Sequence, residues 1–181
     1  MILSHEKRPV LLIVDDDDED IYLTRRAFCT TCSDLVFNSV KNDCALFDCL
    51  YCKGQFEHLA ASSLPDVILL DINMPKTDGL KILQKLRADI RFQYMSVVMF
   101  TTSLANSVIQ RAYQPGANSF VAKPVSVEGM QQLAEKYLSI LVSLKSHSRL
   151  TEFLLNTAQL VSHCFVRVTQ CKYGHKLRGS M

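Results

Sequence analysis

Four short apolar runs of this chain each end on a residue with reactive chemistry. Val10-Leu11-Leu12-Ile13-Val14 leads to Asp15 and Asp16, Val67-Ile68-Leu69-Leu70 to Asp71, Val97-Val98-Met99-Phe100 to Thr101, and Phe120-Val121-Ala122 to Lys123. Short runs that are apolar at every position, rather than at alternate ones, fit strands buried on both faces. Such strands belong to a parallel sheet with helices on each side. Open parallel sheets carry their chemistry just outside the carboxyl ends of the strands. Aligned at one sheet edge, these five side chains make a cup of three carboxylates, one hydroxyl and one ammonium, which suits a divalent cation.

The segments between the runs read as helices, which completes an alternating pattern. Asp17 to Glu19 offer caps and first-turn acids for a helix carrying Ile21, Leu23, Ala27 and Phe28. A strand over 35–40 leads to the cap Asn42-Asp43 and a helix over 45–53, with Ala45, Leu46, Cys49 and Leu50 at helical spacing. Asn73 to Gly79 reads as a loop before a helix with Leu80, Leu83 and Leu86 inside. A fourth helix is expected over 103–113, stopped by Pro115-Gly116, and a fifth over 128–144. Five strand-helix units predict an α/β doubly wound fold: a five-stranded parallel sheet with helices on both faces.

Bulk properties divide the chain rather than classify it. The 20 Lys and Arg nearly balance 18 Asp and Glu over 181 residues, so charge alone gives no argument for nucleic acid. The balance is uneven, however: Arg149, Arg167, Lys172, Lys176 and Arg178 face only Glu152 in the tail. This separates a body over 1–146 from a basic tail over 147–181. No apolar stretch before Pro9 suits a signal peptide and no segment suits a membrane span, so a cytoplasmic protein is expected. Seven cysteines fit reduced thiols in that compartment. Cys29, Cys32, Cys49 and Cys52 have the spacing of a zinc template. The helices that carry the two pairs are expected on opposite faces of the sheet, which makes them packing residues instead.

The cup's chemistry follows from its charge. Three carboxylates close together either raise their pKa values or gather around a cation. Hard oxygen ligands with open positions suit Mg2+, which keeps waters and shares a phosphate. A carboxylate beside Mg2+ can act as nucleophile toward a phosphoryl group and give an aspartyl phosphate. The transferred group needs donors and positive charge on its oxygens, which Thr101 and Lys123 supply.

These residues and their neighbours resemble a known family. Val14-Asp15-Asp16, Leu70-Asp71-Ile72-Asn73-Met74-Pro75-Lys76-Thr77-Asp78-Gly79, Thr101-Thr102-Ser103 and Gly116-Ala117-Asn118-Ser119-Phe120-Val121-Ala122-Lys123-Pro124 look like the receiver domain of two-component response regulators. The resemblance covers about residues 9–146 and implies the flavodoxin-like receiver fold. Asp20-Ile21, Thr101-Thr102-Ser103, Gly116-Ala117-Asn118 and the lengthened second helical stretch resemble the single-domain regulators that partner phytochrome-type histidine kinases.

The resemblance implies roles at matching positions. Asp71 would be the phosphoacceptor, with a sensor histidine kinase as donor. Asp16 would bind Mg2+ directly, Asp15 would help hold the metal or its water, and the Asn73 backbone carbonyl would be a further ligand. Thr101 and Lys123 would bind phosphoryl oxygens, and Phe120 would be the switch aromatic. Lys123-Pro124 would be joined by a cis peptide. Apart from the resemblance, Asp17, Asp18 and Glu19 read as first-turn helix acids, Phe120 as core, and Asp78 as a turn former. Departures lie elsewhere: Tyr94-Met95-Ser96 lacks the proline usual before the fourth strand, and the tail has no counterpart.

Two rivals use related chemistry. A haloacid-dehalogenase-type phosphatase also needs an Asp nucleophile, Mg2+, Thr and Lys, and Asp15-Asp16-Asp17 supplies Asp-x-Asp. Glu19 replaces the Thr or Val that should follow, and no Asp stands after Asp89. A phosphorylation-independent pseudo-receiver would lack a member of the cup, and none is missing. In the tail, the polar residues Glu152, Asn156, Gln159, His163 and Arg167 recur every three or four positions over 150–168 among apolar ones such as Phe153, Leu154, Leu160 and Phe165, as in an amphipathic helix. His163, Cys164, Cys171 and His175 are too irregularly spaced for a metal set. The tail is too short for a DNA-binding domain, so no direct nucleic-acid binding is expected. Output by protein contact follows, with a phosphorylation-dependent homodimer as one form of it.

Overall fold

The computed structural model of the chain describes residues 8–59, 64–102 and 116–146. The five long strands are β1 (Val10–Val14), β2 (Val36–Val40), β3 (Val67–Asp71), β6 (Ser96–Thr101) and β7 (Ser119–Ala122), and a small antiparallel pair joins β4 (Asn73–Met74) to β5 (Thr77–Asp78). The helices are α1 (Asp18–Thr31), α2 (Asp43–Leu50), α3 (Gly79–Ala88) and α4 (Val127–Ser146). The five long strands form one parallel sheet in the order β2-β1-β3-β6-β7. This is the doubly wound α/β fold expected from the apolar runs. The expected helices over 103–113 and 150–168 lie outside the described residues, as does His163, Cys164, Cys171 and His175. Among the described residues no helix is long and apolar enough to cross a membrane.

Every residue of β1 and β3 is buried, as runs without alternation require. Because successive side chains point to opposite faces, the strands feed two cores. Leu12, Val14, Ile68, Leu70, Val97 and Met99 pack with Leu46 and Cys49 of α2 and Leu80, Ile82, Leu83 and Leu86 of α3. Leu11, Ile13, Val67, Leu69, Val98 and Phe100 pack with Ile21, Ala27 and Phe28 of α1 and Met130, Ala134 and Leu138 of α4. Full burial of one such side chain is worth about 1.5–3 kcal/mol, so the two cores hold the sheet rigidly from both sides. Cys49 belongs to the first core and Cys32 packs against the second, so the two cysteine pairs are separated by the sheet.

The helix starts follow the local chemistry read from the sequence. Asp17 caps α1 by accepting from the Glu19 amide at 2.8 Å, and Asn42 caps α2 by accepting from the Ala45 amide at 2.8 Å. Asp78 does more than form a turn: it caps α3 through the Leu80 amide at 2.9 Å. The buried stripe of α1 includes one polar residue. Leu23 is only half-buried and Thr24 is fully buried in its place. Steps of three and four from Ile21 lead through Thr24 to Ala27 and Phe28, whereas Leu23 stands off that stripe. The Thr24 hydroxyl lies 3.9 Å from the Met130 sulfur, where α1 meets α4.

Candidate phosphoacceptor and metal site

The strand register brings the polar residues to one edge. Asp71 pairs with Phe100, Thr101 pairs with Ala122, and the Lys123 amide bonds to the Thr101 carbonyl at 2.8 Å. The Asp15 amide bonds to the Val40 carbonyl at 3.1 Å, which holds the first acid at the end of β1. The sheet order changes direction between β1 and β3, and the crevice there holds Asp15, Asp16 and Asp71. Gly79 keeps β3 and α3 close, since a Cβ on it would run into the Asp71 carbonyl. Its amide donates to the Ile72 carbonyl at 3.0 Å.

Within the cup, one carboxylate oxygen from each of Asp15, Asp16 and Asp71 lies within 4.8 Å of the others. Asp15 and Asp71 are buried, whereas Asp16 is exposed. The Lys123 ammonium lies 2.7 Å from Asp15 Oδ2, 2.7 Å from Asp20 Oδ2 and 3.3 Å from Asp71 Oδ2. Its contact with Asp15 is an ion pair without a directed hydrogen bond, and its contact with Asp20 is a hydrogen bond. Asp71 Oδ1 is buried and has no hydrogen-bond partner among the described residues. Thr101 is fully buried, and its hydroxyl accepts from the Asn73 side-chain amide at 3.3 Å.

The electrostatics reflect an excess of acid over base. Burial pushes the Asp15 carboxyl above its usual range, against the pull of Lys123. Burial alone would lower the Lys123 pKa, but Asp15, Asp20 and Asp71 outweigh it and hold the ammonium above the usual lysine range. Both directions fit one ammonium among several carboxylates. The donor set fits a hard divalent cation: three convergent carboxylates, two of them with a buried oxygen that has no hydrogen-bond partner among the described residues, and an exposed side at Asp16 where waters can complete the shell.

Asp15, Asp16, Asp71 and Lys123 converge, and Thr101 ends the neighbouring strand β6. Asn73 stands at the rim, with its side chain turned to Thr101. Phe120 is buried in the core shared with α2 and α3, so its ring is inward. The expected cis peptide at Pro124 is corrected, since no cis bond occurs among the described residues. The trans form of an X-Pro bond is favoured by about 0.5–1 kcal/mol, and the Lys123 ammonium reaches Asp15 and Asp71 from the trans chain. Sequence reasoning assigned Asp20 no role at the site. Its signal was its place one turn after Asp16 at the start of a helix, where side chains lean toward the N-terminal end.

Comparison with known proteins fits this geometry. The profile of the response regulator receiver domain matches residues 11–135. The chain belongs to the response regulator receiver family. It is 29% identical over 135 residues to the probable methanogenesis regulatory protein FilR2 of Methanothrix harundinacea, covering 75% of this chain and 84% of that protein. The crystal structure of RPA3017, a response regulator in red light signaling of R. palustris, aligns with TM-score 0.67 and 25% identity over 73% of this chain and 92% of that one. The bacteriophytochrome response regulator AtBRR aligns with TM-score 0.58 and 30% identity over 74% and 94%. Nothing favours the haloacid-dehalogenase alternative for this receiver.

Proposed function

We propose that this receiver takes a phosphoryl group onto Asp71 from a sensor histidine kinase, in a Mg2+-dependent reaction, and passes the signal on by protein contacts. The observation that carries the proposal is the setting of Asp71. One of its oxygens faces the Lys123 ammonium at 3.3 Å, and the other is buried with no hydrogen-bond partner among the described residues. A nucleophile needs such an uncommitted oxygen. Asp15, Asp16, Asp71 and the Asn73 backbone carbonyl would hold Mg2+, which would neutralise charge on the phosphoryl oxygens. Lys123 and the Thr101 hydroxyl would bind those oxygens. Thr101, drawn toward the phosphoryl group, would give up its bond from Asn73, and the inward Phe120 would hold the altered arrangement.

The likeness to AtBRR supports a phytochrome-type kinase as donor. A groove of about 190 Å³, lined by apolar Leu23, Ala27, Val125 and Met130 and by polar Arg26 and Gln131, includes Pro124 and would offer a protein donor a surface. We place the protein in the cytoplasm. Its chemistry is confined to its own aspartyl phosphate, and its output is self-association or contact with a partner rather than direct nucleic-acid binding. We take 1–146 as the receiver domain and 147–181 as a basic tail with no recognised output domain.

Intact mass after incubation with a small acyl phosphate and Mg2+ tests this reading. The wild type should gain one phosphoryl group, and Asp71→Asn should gain none while keeping its circular dichroism. Equal labelling of both would defeat the assignment. Sedimentation of the same samples with beryllofluoride reads the output: a dimer in wild type that is absent from Asp71→Asn supports self-association, and a monomer throughout assigns output to a different partner.

A further inference from the structure

Asp20 lies outside the convergent trio of Asp15, Asp16 and Asp71, yet it makes a directed 2.7 Å hydrogen bond to the Lys123 ammonium from 103 positions away in sequence. Its side chain is 30% exposed, against 1% for Asp15 and 8% for Asp71, so it approaches Lys123 from the solvent side while those two approach from within. The first turn of α1 fixes it there, because Asp17 caps that turn and accepts from the Asp20 amide at 3.4 Å. An ammonium has three N–H donors, and here three carboxylates surround it. Two of them belong to the set that fits a cation. Asp20 is the one left to Lys123 when that set is occupied.

We infer that Asp20 is a positioning residue for Lys123, an inference that rests on the phosphoryl-transfer reading above. The outer carboxylate holds the ammonium at the rim of the cup, 3.3 Å from Asp71, and opposes the inward pull of Asp15 and Asp71. Without it the ammonium closes on the two inner carboxylates. There it neutralises the nucleophile and occupies the side from which a phosphoryl oxygen must be met. Misplacement of a charged group by a fraction of an ångström to one ångström costs about ten- to a hundredfold in rate. The effect runs through Lys123, which separates it from a simple loss of negative charge near the metal ligands.

The test uses the full chain and two readouts. In Mg2+-free protein, the 5% exposed Lys123 ammonium should give a slowly exchanging ¹⁵N-correlated signal, assigned by its loss in Lys123→Arg. Asp20→Asn should shift or broaden that signal, and Asp20→Glu should restore it in part. With acyl phosphate and Mg2+, labelling of Asp71 should slow about tenfold in Asp20→Asn and recover partly in Asp20→Glu. If wild type itself takes no label, the phosphoryl-transfer reading fails. If wild type labels and Asp20→Asn labels as fast, or slows with an unchanged Lys123 signal, the positioning role of Asp20 is overturned.

Discussion

Lys123 and Lys85 each reach a carboxylate within 3 Å, but they do so in different media. Lys123 is 5% exposed and sits among Asp15, Asp20 and Asp71 at the edge of the sheet. Lys85, 56% exposed on α3, bridges to Asp43 at the start of α2, and Asp43 also accepts from the Thr77 hydroxyl at 3.3 Å. A buried ammonium cannot be replaced by water, so its loss strands the carboxylates around it. Water and salt take over most of what a surface pair contributes. Buried charge in this receiver gathers at the end of the sheet, and the exposed pair links two helices at the surface.

Arg87 stands between these extremes. Its half-buried guanidinium donates to the Gly116 carbonyl at 2.8 Å, the Met95 carbonyl at 3.0 Å and the Asn118 side-chain oxygen at 2.8 Å. Asn118 in turn accepts from the Val97 amide at 2.8 Å. Arg87 thus ties the end of α3 to the chain entering β6 and to the chain entering β7, both of which lead into the cup. No carboxylate is among these partners. They are neutral oxygens that would otherwise compete for water.

The contrast is broken most severely by Lys123→Met. With no Mg2+ present, the buried Asp15 and Asp71 would lose their ammonium, and stability should fall by about 3 kcal/mol. Urea unfolding reads the loss, and added Mg2+ should narrow it by supplying the missing positive charge. A loss under 1 kcal/mol would show that the cup is wetter than its burial indicates. Arg87→Ala should have a middle effect, about 1–2 kcal/mol, because it leaves carbonyls of two loops without their donor. Amide hydrogen exchange should then quicken at Val97 and Asn118 while β1 and β3 stay protected. Uniform quickening would point to global loss rather than a loosened strut.

The smallest effect belongs to Lys85→Ala, about 0.2–1 kcal/mol at low salt and less at high salt. Its pH dependence sharpens the comparison. The Lys85 hydrogen bond holds the Asp43 carboxyl below the usual range, with burial opposing it. A depressed folded-state pKa means that the pair stabilises the fold above the ordinary aspartate value, about pH 4, and loses this as pH falls through the folded value. The stability gap between wild type and variant should therefore be open at neutral pH and close in acid. A gap that persists in acid would assign it to packing of the Lys85 stem against Phe47, over whose ring the ammonium sits at 5.9 Å.

The strands and the acids and bases that end them were legible in the sequence because both signals are local. A run such as Val67-Ile68-Leu69-Leu70 can be satisfied only by burial on both faces, and the next residue must then emerge at the sheet edge as Asp71. Helix starts were legible for the same reason, since Asp17 and Asn42 cap amides only two or three residues away. Tertiary structure alone decided what depends on distant partners. Asp20 meets Lys123 because α1 and the end of β7 converge, and no local pattern shows that meeting. Thr24 is buried because α4 brings Met130 against it. Lys123-Pro124 is trans, which the dipeptide alone leaves open because its two isomers differ by only about 1 kcal/mol. Asp15 is buried and Asp16 exposed although they are neighbours, because adjacent positions at a strand end face different surroundings, and only the assembled sheet sets which of them is enclosed.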